Sequence, residues 1–110
     1  MERSKVETYL GFCVRARKAV FGVDDIEKQK KGVFLIICDG ELSENSLKTV
    51  QKARESLACP LLITGKGKLG ELLHKPAVKA VAIKEENLAS AILSVVDDDP
   101  QFKLYSGGTK

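Results

Sequence analysis

The chain has 110 residues, enough for one domain with a single apolar core that folds without disulfide staples. Its hydrophobic fraction of 44% and charged fraction of 30% match an ordinary soluble globule and exclude a largely disordered chain. A formal net charge of +3, from 18 basic and 15 acidic residues, excludes a protein that coats nucleic acid indiscriminately, so any basic surface must be local.

Ser4-Lys5-Val6-Glu7 has capping-box spacing, and Val6, Tyr9, Leu10, Cys13 and Val14 recur at helical intervals, which predicts a first helix to about Ala16. Ala19-Val20-Phe21, closed by Gly22, predicts a brief strand. A second helix is expected from Val23 to Lys31, with Asp24 and Asp25 in its first turn and Gly32 as its stop.

The run from Val33 to Cys38 is uninterruptedly apolar, the pattern of a central strand buried on both faces. Asp39-Gly40 ends it, and Ser43 is a good N-cap for a helix carrying Leu47, Val50, Ala53, Arg54 and Leu57 on one stripe, stopped before Pro60. Leu61 to Ile63 predicts a third strand, Lys68 to Leu73 a short helix, and Val78 to Ile83 a fourth strand. Leu88, Ala91, Ile92, Val95 and Val96 then mark a last amphipathic helix. From Asp97 onward periodicity is lost, so residues 1–98 are expected to form the domain and 99–110 a frayed tail.

Alternating strands and helices imply an α/β fold. The expectation is a single-domain three-layer α/β/α sandwich around a four-stranded mixed, mostly parallel sheet. Cys13, Cys38 and Cys59 are widely spaced, odd in number and next to apolar neighbours; they read as buried reduced thiols, neither a disulfide framework nor metal ligands. No apolar stretch approaches the length of a membrane span, and the N-terminus lacks a signal-peptide layout, so a cytoplasmic location is expected.

The inventory for catalysis is poor. His74 is the single histidine and has no sequence-near carboxylate or cysteine partner, so it reads as a loop residue. No catalytic residue, metal site or cofactor is expected. The segment from Thr64 to Gly70 fails both the P-loop and the dinucleotide-binding patterns, yet Lys66, Lys68, flexible glycines and a helix start in one place form a simple anion site. A turn solvated by its lysines is the competing reading. Arg15, Arg17 and Lys18 form a second basic cluster, between the first helix and first strand. Asp24, Asp25 and Lys28 open the second helix, where the plain reading makes the aspartates favourable to the helix dipole. The functional reading has acceptors and a donor reading base edges while flanking cations neutralise phosphates.

Taken in order, several segments resemble the superfamily of the large-subunit ribosomal protein L-seven-Ae, its relatives L-thirty-e and S-twelve-e, and their small bacterial paralogues. Tyr9 to Gly22 is similar to that family's leucine-glycine, arginine-alanine-glycine-lysine opening, with Arg17 in place of the turn glycine. Leu35 to Asn45 resembles its central strand and serine-glutamate-asparagine helix start, and Cys59 to Gly70 its proline-led strand and lysine-x-leucine-glycine turn. Gly22-Val23-Asp24-Asp25-Ile26-Glu27-Lys28 stands where the family has glycine-x-asparagine-glutamate-x-x-lysine.

The resemblance implies a three-layer sandwich and a non-catalytic RNA-binding protein whose partner is structured RNA of the kink-turn type, ribosomal RNA among the candidates. Asp24, Asp25 and Lys28 would make the base contacts; Gly22 belongs to the same motif. Arg15, Arg17, Lys18, Lys66 and Lys68 are the candidate phosphate contacts. Asp24 loses an amide donor and Asp25 shortens an acceptor, which weakens standard kink-turn recognition. The His74 to Lys79 segment stands where the family has an RNA-contact loop. A monomer is expected, with a ribosomal or other protein as a further candidate partner. The alternative is a protein-interaction module on the same fold with weakened RNA recognition.

Overall fold

The computed structural model describes residues 5–96 and 102–106. The elements in chain order are α1 (Lys5–Arg15), β1 (Ala19–Phe21), α2 (Val23–Glu27), β2 (Leu35–Cys38), α3 (Glu44–Leu57), β3 (Leu61–Thr64), α4 (Lys68–Leu73), β4 (Ala80–Ile83), α5 (Glu86–Val96) and β5 (Phe102–Ser106). α3 starts where Ser43 Oγ accepts the Ser46 amide at 3.2 Å, and it stops at Ala58, whose φ of 55° ends the helical path.

The sheet is mixed, with strand order β1-β4-β2-β3-β5. Among the described strands only β2 and β3 pair in parallel; β1 with β4, β4 with β2, and β3 with β5 are antiparallel. The expectation of a four-stranded, mostly parallel sheet is therefore corrected on both counts. α3, with 14 residues, is about 21 Å long and carries the chain back along the sheet, giving the parallel β2–α3–β3 unit. α4, with 6 residues, is only about 9 Å long. The chain consequently enters β4 at the end where β2 and β3 finish, with Ala80 opposite Cys38, and runs the other way.

Helices cover both faces of the sheet. Val6, Leu10 and Cys13 of α1, Leu69, Leu72 and Leu73 of α4, and Ala89, Ile92 and Val96 of α5 pack with Leu35, Ile37, Leu62, Val81 and Ile83. Ile26 of α2 and Val50 and Ala53 of α3 pack with Ile36, Cys38, Leu61, Ala80 and Ala82 on the opposite face. Alternate residues of β2 and β4 thus serve opposite cores, which is why both strands are apolar throughout.

Two further departures from the sequence expectation have local causes. α2 ends at Glu27 and does not reach Lys31. The Gln29 amide donates back to the Asp25 carbonyl at 3.2 Å and its side-chain oxygen accepts from Lys84 Nζ at 2.7 Å, which ties residue 29 to the end of β4. In the segment read as a tail, Phe102–Ser106 forms β5 against β3, with a register shift at Leu61/Leu62, so the sheet extends past the expected boundary at residue 98. The remainder of that segment, residues 99–101 and 107–110, lies outside the described residues, as do residues 97 and 98 just before it. Among the described residues no helix is long and apolar enough to cross a membrane.

Candidate nucleic-acid interface

The two ends of the sheet carry different parts of the candidate set. At the end where β1, β2 and β3 finish, the Gly22 amide donates to Ala80 O at 3.0 Å and the Asp39 amide to Lys79 O at 2.8 Å. Gly22, Asp24, Asp25, Lys66 and Lys68 belong to this end. At the other end, the Lys84 amide donates to Lys18 O at 2.8 Å, which places the Arg15–Lys18 turn at the start of β1. With a rise of about 3.3 Å per residue, Lys18 and Gly22 stand about 13 Å apart along the strand. The candidate cations therefore do not gather around the start of α2; they divide between two ends.

The start of α2 is built on a backbone turn. Gly22 has φ 92° and ψ 144°, a conformation that favours glycine, and its carbonyl accepts the Ile26 amide at 3.0 Å. Ile26 is fully buried and anchors the single turn of helix, which leaves Asp24, Asp25 and Lys28 exposed. Asp25, Lys28 and Gln29 form one wall of a shallow groove whose other wall is edge strand β1, Ala19 to Phe21. Lys75, from the loop after α4, brings its ammonium over the Phe21 ring, 5.5 Å from the centroid. Lys28 thus adds positive charge to a groove that Asp25 also lines, while Lys75 and the Phe21 ring belong to the other face of the sheet, with α1, α4 and α5.

The glycine loop after β3 does not offer the anion site expected from its composition. Asp39, 1% exposed, turns its carboxylate into the loop from the end of β2. Oδ1 accepts the Gly67 amide at 2.9 Å and the Glu41 amide at 2.8 Å, and Oδ2 accepts the Leu69 amide at 3.1 Å. The donors that would cradle a phosphate are already taken by an internal carboxylate. Gly40 permits this closeness, because a Cβ there would lie 2.7 Å from Thr64 O. Lys68 pairs with Glu71 at 2.8 Å, which holds the Glu71 carboxyl below its ordinary range. Of the two candidate lysines, Lys66 is exposed and, among the described residues, forms no ion pair.

Other polar side chains have structural partners. His74 Nε2 lies 2.8 Å from Glu7 Oε2, joining the end of α4 to α1. Lys79 pairs with Glu41 at 2.8 Å, and that hydrogen bond raises the lysine above its usual value. Burial pushes the thiols up, to about 11 for Cys13, about 12 for Cys38 and about 11 for Cys59; all are free and buried. Among the described residues no group of three or more histidine, cysteine or acidic side chains is arranged to hold a metal ion.

Three residues that matter here stood outside the sequence-derived set. Asp39 had no signal beyond ending a strand, because its partners lie about thirty positions on. Lys75 lies within the His74 to Lys79 segment already singled out in the sequence, so position alone could have nominated it. Phe12 sits at a helical position whose neighbours are core, and its 43% exposure is visible only in three dimensions.

No family model matches the chain, and no curated protein does. Among solved structures, the chain is similar to a protein of unknown function from Bacillus halodurans C, with a TM-score of 0.71 and 20% sequence identity, covering 86% of this chain and 99% of that one. That similarity establishes a shared fold.

Proposed function

We propose that this chain is a non-catalytic, cytoplasmic RNA-binding protein of the ribosomal L-seven-Ae type, an α/β/α sandwich that takes structured RNA along the outer edge of β1. The observation that carries the proposal is the groove at that edge. A one-turn helix starting on a left-handed glycine exposes Asp24, Asp25 and Lys28 beside a strand whose last residue, Phe21, lies under Lys75. These are the positions at which the resembling family reads its RNA. Arg17, at φ 59°, adds support, because it stands where that family has a turn glycine and has the backbone that such a glycine would adopt.

Lys28 at the groove, with Lys75 over the last residue of β1 and Arg17 and Lys18 at the start of that strand, would neutralise phosphates, and Asp24 and Asp25 would accept from base donors. Lys66 stands on β3's end of the sheet, across two intervening strands from β1, or about 14 Å, and would meet only a more distant phosphate. Lys68 is committed to Glu71 and drops out of the contact set. Ribosomal RNA is the candidate class of target.

The test is a titration of kink-turn RNA against a scrambled hairpin at roughly 50 and 200 mM salt. Preference for the kink-turn RNA, a salt slope of about −0.9 per phosphate contacted, and weakening by Lys28→Glu and Lys75→Glu are expected. Equal weak binding to both RNAs would remove structural specificity, and a slope near zero would remove phosphate contact.

A further inference from the structure

The basic turn at the start of β1 lies beside an exposed aromatic. Phe12, on α1, is 43% exposed, although the rest of that helix's large apolar side chains are buried or half-buried. Tyr9 stands one turn earlier with its ring tilted by 53° and centred 6.5 Å away. The Arg15 guanidinium lies over the Phe12 ring, 5.1 Å from its centroid. Arg15, Arg17 and Lys18 are all exposed and, among the described residues, none forms an ion pair. No acidic residue occurs from Tyr9 to Phe21. The nearby Glu85, whose field contributes to the raised Cys13 thiol, directs its carboxylate to the Leu88 amide at 2.7 Å.

A single exposed phenylalanine is ordinary on a protein surface. This one is flanked by three unpaired cations, one of them already seated on the ring. Arg17 further occupies a left-handed backbone position, φ 59°, that costs any side chain more than it would cost glycine. An acidic protein segment would need the cations alone. An aromatic face backed by a planar guanidinium, with two further exposed cations in the adjoining turn, fits an unpaired base and its adjacent phosphates.

We propose that Phe12 and Arg15 form a stacking platform for an unpaired base of single-stranded RNA, whose flanking phosphates are held by Arg17 and Lys18. The platform lies at the other end of β1 from the start of α2; it shares Arg17 and Lys18 with the groove reading, and Phe12 and Arg15 belong to it alone. It deepens the RNA-binding reading by assigning a second class of RNA contact, and rests on that reading only for the choice of RNA over DNA.

The test uses the full chain and two probes, an unstructured RNA octamer and the kink-turn RNA. Phe12→Ala should weaken octamer binding by roughly tenfold and leave the kink-turn RNA at wild-type affinity. The chain has no tryptophan, so Phe12→Trp places a single reporter at the platform, whose emission should be quenched as the octamer saturates while affinity is kept. Since Phe12 is exposed, both variants should keep the wild-type circular dichroism spectrum. Octamer binding that is absent in wild type, or indifferent to Phe12→Ala, or without quenching in Phe12→Trp, overturns the platform. Failure of the kink-turn RNA alone overturns the groove reading and leaves the platform standing. An octamer of DNA bound as tightly as the RNA would show that the platform reads a strand without its 2′-hydroxyls, which overturns the assignment to RNA.

Discussion

Asp39 accepts the backbone amide of Gly67, a residue 28 positions away, at 2.9 Å. Through that bond and those to Glu41 and Leu69, one buried carboxylate ties the end of β2 to the start of α4. Replacement by alanine strands backbone donors in a closed site, at a cost of about 3 kcal/mol. Asp39→Ala should therefore lower the urea midpoint with little change in slope. Added sulfate should recover part of the loss by filling the vacated donors, an effect absent from wild type. A wild-type midpoint would show that the carboxylate contributes nothing.

Arg17 has the opposite sign. Glycine at φ 59° relieves a left-handed backbone that costs an ordinary residue about 1 kcal/mol. Arg17→Gly should raise the melting temperature by several degrees for a chain of this size, roughly 4–8 °C per kcal/mol. The same variant should lose part of the salt dependence of RNA binding. A stability gain paired with an affinity loss would show that the arginine is kept for contact; a drop in melting temperature would remove the strain argument.

The thiols set a limit at high pH. Burial holds Cys13 and Cys59 at about 11 and Cys38 at about 12, against an ordinary thiol value of 9.0. The folded chain keeps protons that the unfolded chain releases, so the contribution to stability is fully present below pH 9 and is lost as pH rises through the range from 9 to 12. Thermal midpoints should fall across that interval. At pH 8 a thiol reagent should react slowly with the native protein and at all three cysteines in denaturant. Rapid labelling of the native chain would contradict the burial.

Asp24→Asn introduces an amide donor at the exposed start of α2 and removes a negative charge beside the groove. If the groove reads kink-turn RNA, affinity should rise by about 1–3 kcal/mol, with little effect on a scrambled hairpin. An equal gain on both RNAs would assign the effect to charge alone.

Most elements were legible because their signals are local. The apolar run to Cys38, the Ser43 cap and the stripe on α3 each fix one element within a few residues. Strand direction was not legible, because alternation of strands and helices looks the same whether a helix is long enough to return the chain or, like α4, is not. The tail strand β5 escaped notice because the acidic stretch from Asp97 to Asp99 interrupts the pattern just ahead of it. In the candidate site, the motif at Gly22 to Lys28 could be read as a sequence, but the filling of the glycine loop by Asp39 depends on a distant partner. The separation of the two basic groups follows from β1's direction, which short-range spacing does not encode.

The position of β4 between β1 and β2 has a consequence for synthesis on the ribosome. Ala19 pairs with Ile83, and among the described strands β1 pairs with β4 alone, so the emerging first third of the chain has no described strand to zip onto until β4 has left the exit tunnel. β2 and β3, joined by α3, can associate first. The edge groove of β1 and α2 is therefore assembled late, after the sheet's middle exists, and a chain truncated before Ala80 would carry every residue of the Gly22 motif without the strand that holds it in place.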